Sequence, residues 1–106
     1  MLSSLLLFGL NGLVFAETHT IIQKDKKFST DAVIVKLGDT LVFKNAEKDI
    51  THNVYSITPD NEFELKIQKP GTSTPILVDP KTHQPGEMLV ECAIHPGMKV
   101  KVKVEK

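Results

Sequence analysis

The run MKVKVKVEK near the C-terminus most constrains the fold. Val100, Val102 and Val104 alternate with Lys99, Lys101 and Lys103, which predicts a half-buried strand with valines inward and lysines outward. The same period of two recurs in TLVFKN, where Leu41 and Phe43 share one face. Further short runs fit strands: Thr18–Gln23, Ala32–Leu37, Thr51–Thr58, Glu62–Ile67, Thr74–Val78 and Glu87–Cys92. Turn signals separate them, including Gly38-Asp39, Pro59-Asp60-Asn61, Pro70-Gly71, Asp79-Pro80 and Pro85-Gly86. No segment carries a long amphipathic helix. About eight short strands at this turn density predict an all-β Greek-key sandwich or barrel. Phe28, Phe43 and Phe63 are expected in its core.

A chain of 106 residues is expected to form one domain. The 13 basic residues, all lysine, balance 13 acidic ones, which argues against a nucleic-acid-binding protein. The lysine stripe of the last strand suits a solvated face that protects an exposed strand. Residues 1–16, MLSSLLLFGLNGLVFA, carry no charged side chain and end in Val14-Phe15-Ala16, with small residues three and one positions before a cut ahead of Glu17. This reads as a signal peptide. The run from Leu2 to Ala16 is 15 residues, short of the roughly 18–20 that a spanning helix needs. The expected mature chain is 17–106, with no membrane span.

Export sharpens the meaning of Cys92, the only cysteine. Exported cysteines usually pair, and a single thiol in such a protein is a candidate for metal binding or intermolecular chemistry. The stretch ECAIHPGMKVKV places Cys92, His95 and Met98 within seven residues. Cys92 ends one strand, Met98 opens the next, and Pro96-Gly97 makes the turn between. A mononuclear copper electron-transfer site needs two imidazoles and a thiolate in a plane with a weak axial thioether. The loop supplies all but one imidazole. His52, at the start of a strand, is the candidate for the other. Zinc is the competing metal, but methionine suits it poorly. His19 and His83 are assigned to the surface.

With these residues in place, the chain resembles the cupredoxins, in the plastocyanin, amicyanin and pseudoazurin group of blue copper proteins. Phe28–Asn45 resembles the opening strands of that family, with its G-D-T segment at Gly38-Asp39-Thr40. His52-Asn53-Val54 resembles its H-N-V element, and Cys92-x-x-His95-x-x-Met98 its copper loop in the short amicyanin-like form. Asn61-x-Phe63-Glu64-Leu65 with Lys69-Pro70-Gly71-Thr72-Ser73 resembles bacterial cupredoxins labelled methylamine utilisation proteins.

The resemblance implies one type 1 copper held by His52, Cys92, His95 and Met98. It implies that Asn53 ties the two ligand loops together. The family's amicyanin branch has a proline where this chain has Ile94, so the Ile94 N–H is free to donate to the Cys92 sulfur. The implied role is single-electron transfer in the periplasm, as a monomer and not an enzyme. Partners would be redox proteins such as c-type cytochromes or a periplasmic oxidoreductase. His95 would be the electron exit, within an apolar patch of Ile94, Pro96, Gly97 and Pro59. A copper-delivery protein on the same fold is the alternative. A sandwich interaction module without metal is a third reading.

Overall fold

The structure, a computed structural model, describes residues 15–106. Residues 1–14 of the expected signal peptide, Val14 included, lie outside the described residues. Among the described residues, no helix is long and apolar enough to cross a membrane.

Among the described residues, nine strands form two sheets: β1 Thr18–Lys24, β2 Lys27–Phe28, β3 Ala32–Lys36, β4 Thr40–Asn45, β5 His52–Ser56, β6 Phe63–Gln68, β7 Ser73–Leu77, β8 Gly86–Cys92 and β9 Lys99–Glu105. One sheet has the order β2-β1-β4-β7, the other β3-β9-β8-β5-β6. The expected all-β sandwich is therefore present. The strand that periodicity misses is β2, two residues long and too short to show a period. Pro75 lies on the edge strand β7, where a missing N–H leaves no partner strand unpaired.

The core is what the alternation predicts. Val100, Val102 and Val104 are buried while the lysines between them are exposed. They pack with Ile21, Val35, Leu41, Phe43, Val54, Val90 and Phe28, and Phe63 packs against this cluster from its partly buried position. Phe43 meets Phe28 edge-on at 6.1 Å and stacks on Phe63 at 5.9 Å, so it bridges the two sheets.

One irregularity decides what faces the interior beside His52. On β6, Phe63 and Leu65 point inward, yet so does Gln68 rather than Ile67. The register explains this: Tyr55 pairs with Glu64, but Asn53 pairs with Ile67. β6 therefore holds one extra residue, a β-bulge, with Lys66 at φ 62°. The bulge reverses the side-chain phase and sets Gln68 opposite His52. Lys66→Val should destabilise by about 1–2 kcal/mol, because a β-branched side chain fits a left-handed backbone badly. Lys66→Gly should be neutral or stabilising. Urea unfolding of both variants checks this.

Asp39, in the turn before β4, is buried and accepts three bonds. They come from the N–H of Glu17 at 2.9 Å, the N–H of Lys36 at 2.8 Å and His19 Nε2 at 2.9 Å. Burial alone would raise its pKa. The two backbone donors and His19 outweigh burial and hold it below the ordinary 3.8. A depressed carboxylate stabilises the fold above its unfolded pKa, and that contribution is lost as pH falls through the folded one. Unfolding midpoints should therefore drop on acidification below about 3.8, and Asp39→Asn should flatten this acid limb.

Neither histidine assigned to the surface is a free surface group. His19 is partly buried on Asp39. His83 is 6% exposed, because the fold closes over it in the Asp79–Gly86 turn, where its backbone N–H donates to the Asp79 carbonyl at 2.7 Å. Among the described residues its Nε2 has no hydrogen-bond partner.

Candidate metal centre

Cys92 is the last residue of β8 and His52 the first of β5. These strands pair antiparallel, with Val54 opposite Cys92. The pairing sets the thiol beside the imidazole although they are 40 residues apart in sequence. After Cys92 the chain turns sharply. The His95 carbonyl accepts the Met98 N–H at 3.1 Å, and Cys92 N–H donates to the Met98 carbonyl at 3.2 Å. Gly97, at φ 91°, supplies the left-handed residue that this turn needs.

Three potential ligand atoms converge. Cys92 Sγ lies 3.6 Å from His52 Nδ1 and 3.5 Å from His95 Nδ1. The ligand atoms of these three residues all lie within 4.8 Å of one another. A metal bonded at about 2.3 Å to sulfur and about 2.0 Å to nitrogen, with angles between trigonal and tetrahedral, puts S and N roughly 3.5–3.7 Å apart. The two sulfur–nitrogen separations fit one ion on Cys92 with either imidazole, and the ligand atoms of the three residues gather within 4.8 Å. His52 is fully buried and Cys92 nearly so, while His95 is half-buried. Met98 is buried in the core cluster beneath the loop, together with Cys92.

The surroundings prepare these donors. His52 Nε2 lies 3.1 Å from Glu47 Oε2, which leaves Nδ1 facing the sulfur. Such carboxylate partners set the tautomer and orientation of a metal-binding imidazole. Glu47 is itself buried, and it accepts the N–H groups of Asp25 at 3.1 Å and Lys26 at 2.8 Å. Burial pushes its carboxyl pKa up, but Lys26 N–H, His52 and Asp25 N–H together pull it below its ordinary value. The His95 pKa is lowered by burial and then by nearby His52 and Lys26. Both effects favour a neutral imidazole with a lone pair to offer.

Beneath His52 lies a buried amide network. Gln68 Nε2 donates to the Phe43 carbonyl and to Thr74 Oγ1, and Gln23 Nε2 donates to Gln68 Oε1. Asn45 Nδ2 donates to the carbonyls of Ile50 and Gln68. These bonds join the two sheets at the end that carries the site.

No role is read in the sequence for Glu47, Gln68 or Gln23, and Asn45 enters there only as the end of the family-like segment Phe28–Asn45. Gln23 and Asn45 had a usable signal, since they continue the inward phase of Ile21 and of Leu41-Phe43. Glu47→Ala should cost about 1–3 kcal/mol, chiefly by leaving His52 Nε2 buried without a partner. The Asp25 and Lys26 amides, in an exposed turn, can turn to water. Denaturant unfolding of the metal-free chain reads this loss.

Two expectations are corrected. Among the described residues, the N–H that reaches Cys92 Sγ is that of Asn53, at 3.4 Å, and Ile94 makes no such bond. The loop turns Ile94 outward, 43% exposed, while Ala93 N–H is held by the Asn53 carbonyl at 2.9 Å. The Asn53 backbone bonds the loop at two points, its N–H to Cys92 Sγ and its carbonyl to the Ala93 N–H. Pro59 does not join the loop: β5 runs away from His52, and its turn packs on the start of β8, with Thr58 Oγ1 accepting Leu89 N–H and Asn61 donating to the Glu87 carbonyl.

No protein-family model matches the chain, and no curated protein matches it by sequence. Solved structures do match. The copper-containing nitrite reductase of Thermus scotoductus SA-01 aligns with 84% of this chain at 22% identity and a TM-score of 0.72, and the chain spans 22% of that protein. A Cu(I) form of an amicyanin mutant aligns over 83% of this chain and 82% of its own, at 22% identity and a TM-score of 0.70. A purple cupredoxin from Nitrosopumilus maritimus aligns over 82% of this chain and 99% of its own, at 18% identity and a TM-score of 0.66. At these identities the likeness establishes architecture, and the architecture is the cupredoxin β-sandwich.

Proposed function

We propose that this chain holds one copper ion as a type 1 centre and carries single electrons between exported redox proteins. His52, Cys92, His95 and Met98 would hold the metal. The convergence of one thiol and two imidazoles within 4.8 Å carries this reading. Bound there, copper supplies a one-electron Cu(II)/Cu(I) couple, with the soft sulfur favouring Cu(I) and the imidazoles retaining Cu(II).

The chain's own residues supply the rest. Glu47 orients His52, and the Asn53 N–H supports negative charge on the sulfur. The buried amides hold the two sheets in register beneath the site. His95 is the ligand nearest solvent, and Ile94, Pro96 and Gly97 are exposed around it. A small apolar rim of this kind suits weak, short-lived encounters with a c-type cytochrome or a periplasmic oxidoreductase. Four protein ligands leave no position for a substrate, so the reading is a carrier and not an enzyme.

Adding Cu(II) to the purified chain 17–106 tests the proposal. A strong thiolate-to-copper absorption in the visible, with narrow copper hyperfine splitting by EPR, is expected. A colourless protein would sink the reading. Copper delivery is separated by exchange: rapid loss of copper to a chelator, without reversible voltammetry, would favour it over electron transfer.

A further inference from the structure

Glu17 is the first of the described residues whose backbone the fold holds on both sides. Its N–H donates to Asp39 Oδ1 at 2.9 Å, and its carbonyl accepts the Thr40 N–H at 2.9 Å. Before it, Ala16 is exposed and Phe15 is 76% exposed. The acceptor is unusual for a strand-end amide. Asp39 is 3% exposed, and its other donors are the Lys36 N–H and His19 Nε2. The Glu17 side chain turns outward, with its carboxylate 3.9 Å from His19 Nε2. A buried carboxylate with three donors is thus aimed at the nitrogen that a cut after Ala16 would liberate.

We propose that cleavage between Ala16 and Glu17 turns this amide into an α-ammonium group that stays seated on Asp39, so that processing itself locks the first strand into the sandwich. The inference rests on the export reading above. In the cleavage, water gives its hydroxyl to the Ala16 carbonyl carbon and the C–N bond breaks. The Glu17 nitrogen keeps its own hydrogen, gains the proton of the water and takes one more from solvent. No chain movement is needed, because the nitrogen already stands at hydrogen-bond distance. The exposed side vacated by Ala16 leaves room for the added hydrogens. A hydrogen bond with one ionised partner is already roughly twice as strong as a neutral one, and cleavage adds the attraction of a full positive charge on the donor to the Asp39 carboxylate. The groups facing the ammonium are Asp39, His19 and the outer Glu17 carboxylate. Asp39 precedes β4, whose other end, Asn45, lies beneath the metal centre, so the lock and the copper can be read separately.

Two chains are compared, one beginning at Glu17 and one keeping Ala16 as its first residue. Near neutral pH and at low salt, the first should show an unfolding equilibrium constant about five- to tenfold smaller, and the difference should vanish between the corresponding Asp39→Asn chains. The Glu17 α-amine should also titrate above the usual range of about 7.7–8.0. NMR titration of the amine reads this and does not depend on Asp39→Asn folding. Equal stabilities of the two chains, or an ordinary α-amine titration, overturn the seat. The mass of the chain exported by cells tests the cut by itself: a start at Glu17 supports it, and any other start overturns the processing step whatever the two purified chains show.

Discussion

Replacing Cys92 with serine is expected to remove the intense visible absorption of the copper-loaded chain. The band requires a thiolate bonded to the metal, and no other cysteine exists to replace it. His52 Nδ1 and His95 Nδ1 remain, so a pale Cu(II) species on two imidazoles and water is the expected residue of the site. A hydroxyl is a hard, weakly acidic ligand and stabilises Cu(I) far less than sulfur does. The fold should survive, because the serine oxygen still accepts the Asn53 N–H that now meets the sulfur. The decisive comparison is visible and EPR spectra on loaded samples, with urea unfolding of the metal-free chains beside them. An undiminished blue band in Cys92→Ser would remove the assignment of Cys92 as a ligand.

Phe43→Ala should produce the largest loss of stability, about 3–5 kcal/mol. Phe43 is fully buried. It contacts Phe28 in its own sheet and Phe63 in the opposite one, so truncation removes buried area and two aromatic contacts together. Each such pair adds about 0.5–1.5 kcal/mol beyond burial. A domain of this size has a total stability of about 5–15 kcal/mol, so the variant should stand close to unfolding at ambient temperature. The cavity also opens beside the polar network, since Gln68 Nε2 donates to the Phe43 carbonyl. Urea titration should show a lower midpoint with an unchanged slope. A loss below about 1 kcal/mol would mean that the sheets collapse onto the gap.

The strands were legible because a sandwich buries one face of each, which imprints a period of two. Val100, Val102 and Val104 show it without interruption, as do Leu41 and Phe43. The loop donors were legible for a different reason. Cys92, His95 and Met98 sit in one short turn, so their proximity follows from chain connectivity. His52 could be named as their companion, and the structure brings it to 3.6 Å from the sulfur.

Other features depend on pairings between distant segments, which a one-dimensional pattern does not carry. The inward turn of Gln68 comes from a single extra residue at Lys66, recognisable only against β5. Glu47 matters because the β1–β2 turn and His52 both close on its carboxylate. His83, polar and in a turn, is buried by the fold around it.

By itself, then, the sequence determined the class of fold and the kinds of donor atom, since burial on one face and ligand chemistry are properties of residue types and their spacing. The tertiary structure decided which groups serve those donors. The sulfur's hydrogen bond comes from Asn53 rather than Ile94, His52 leans on Glu47, and the far end closes over Asp39. Each is a directional bond of about 3 Å, and its existence rests on the register between strands rather than on the composition of either.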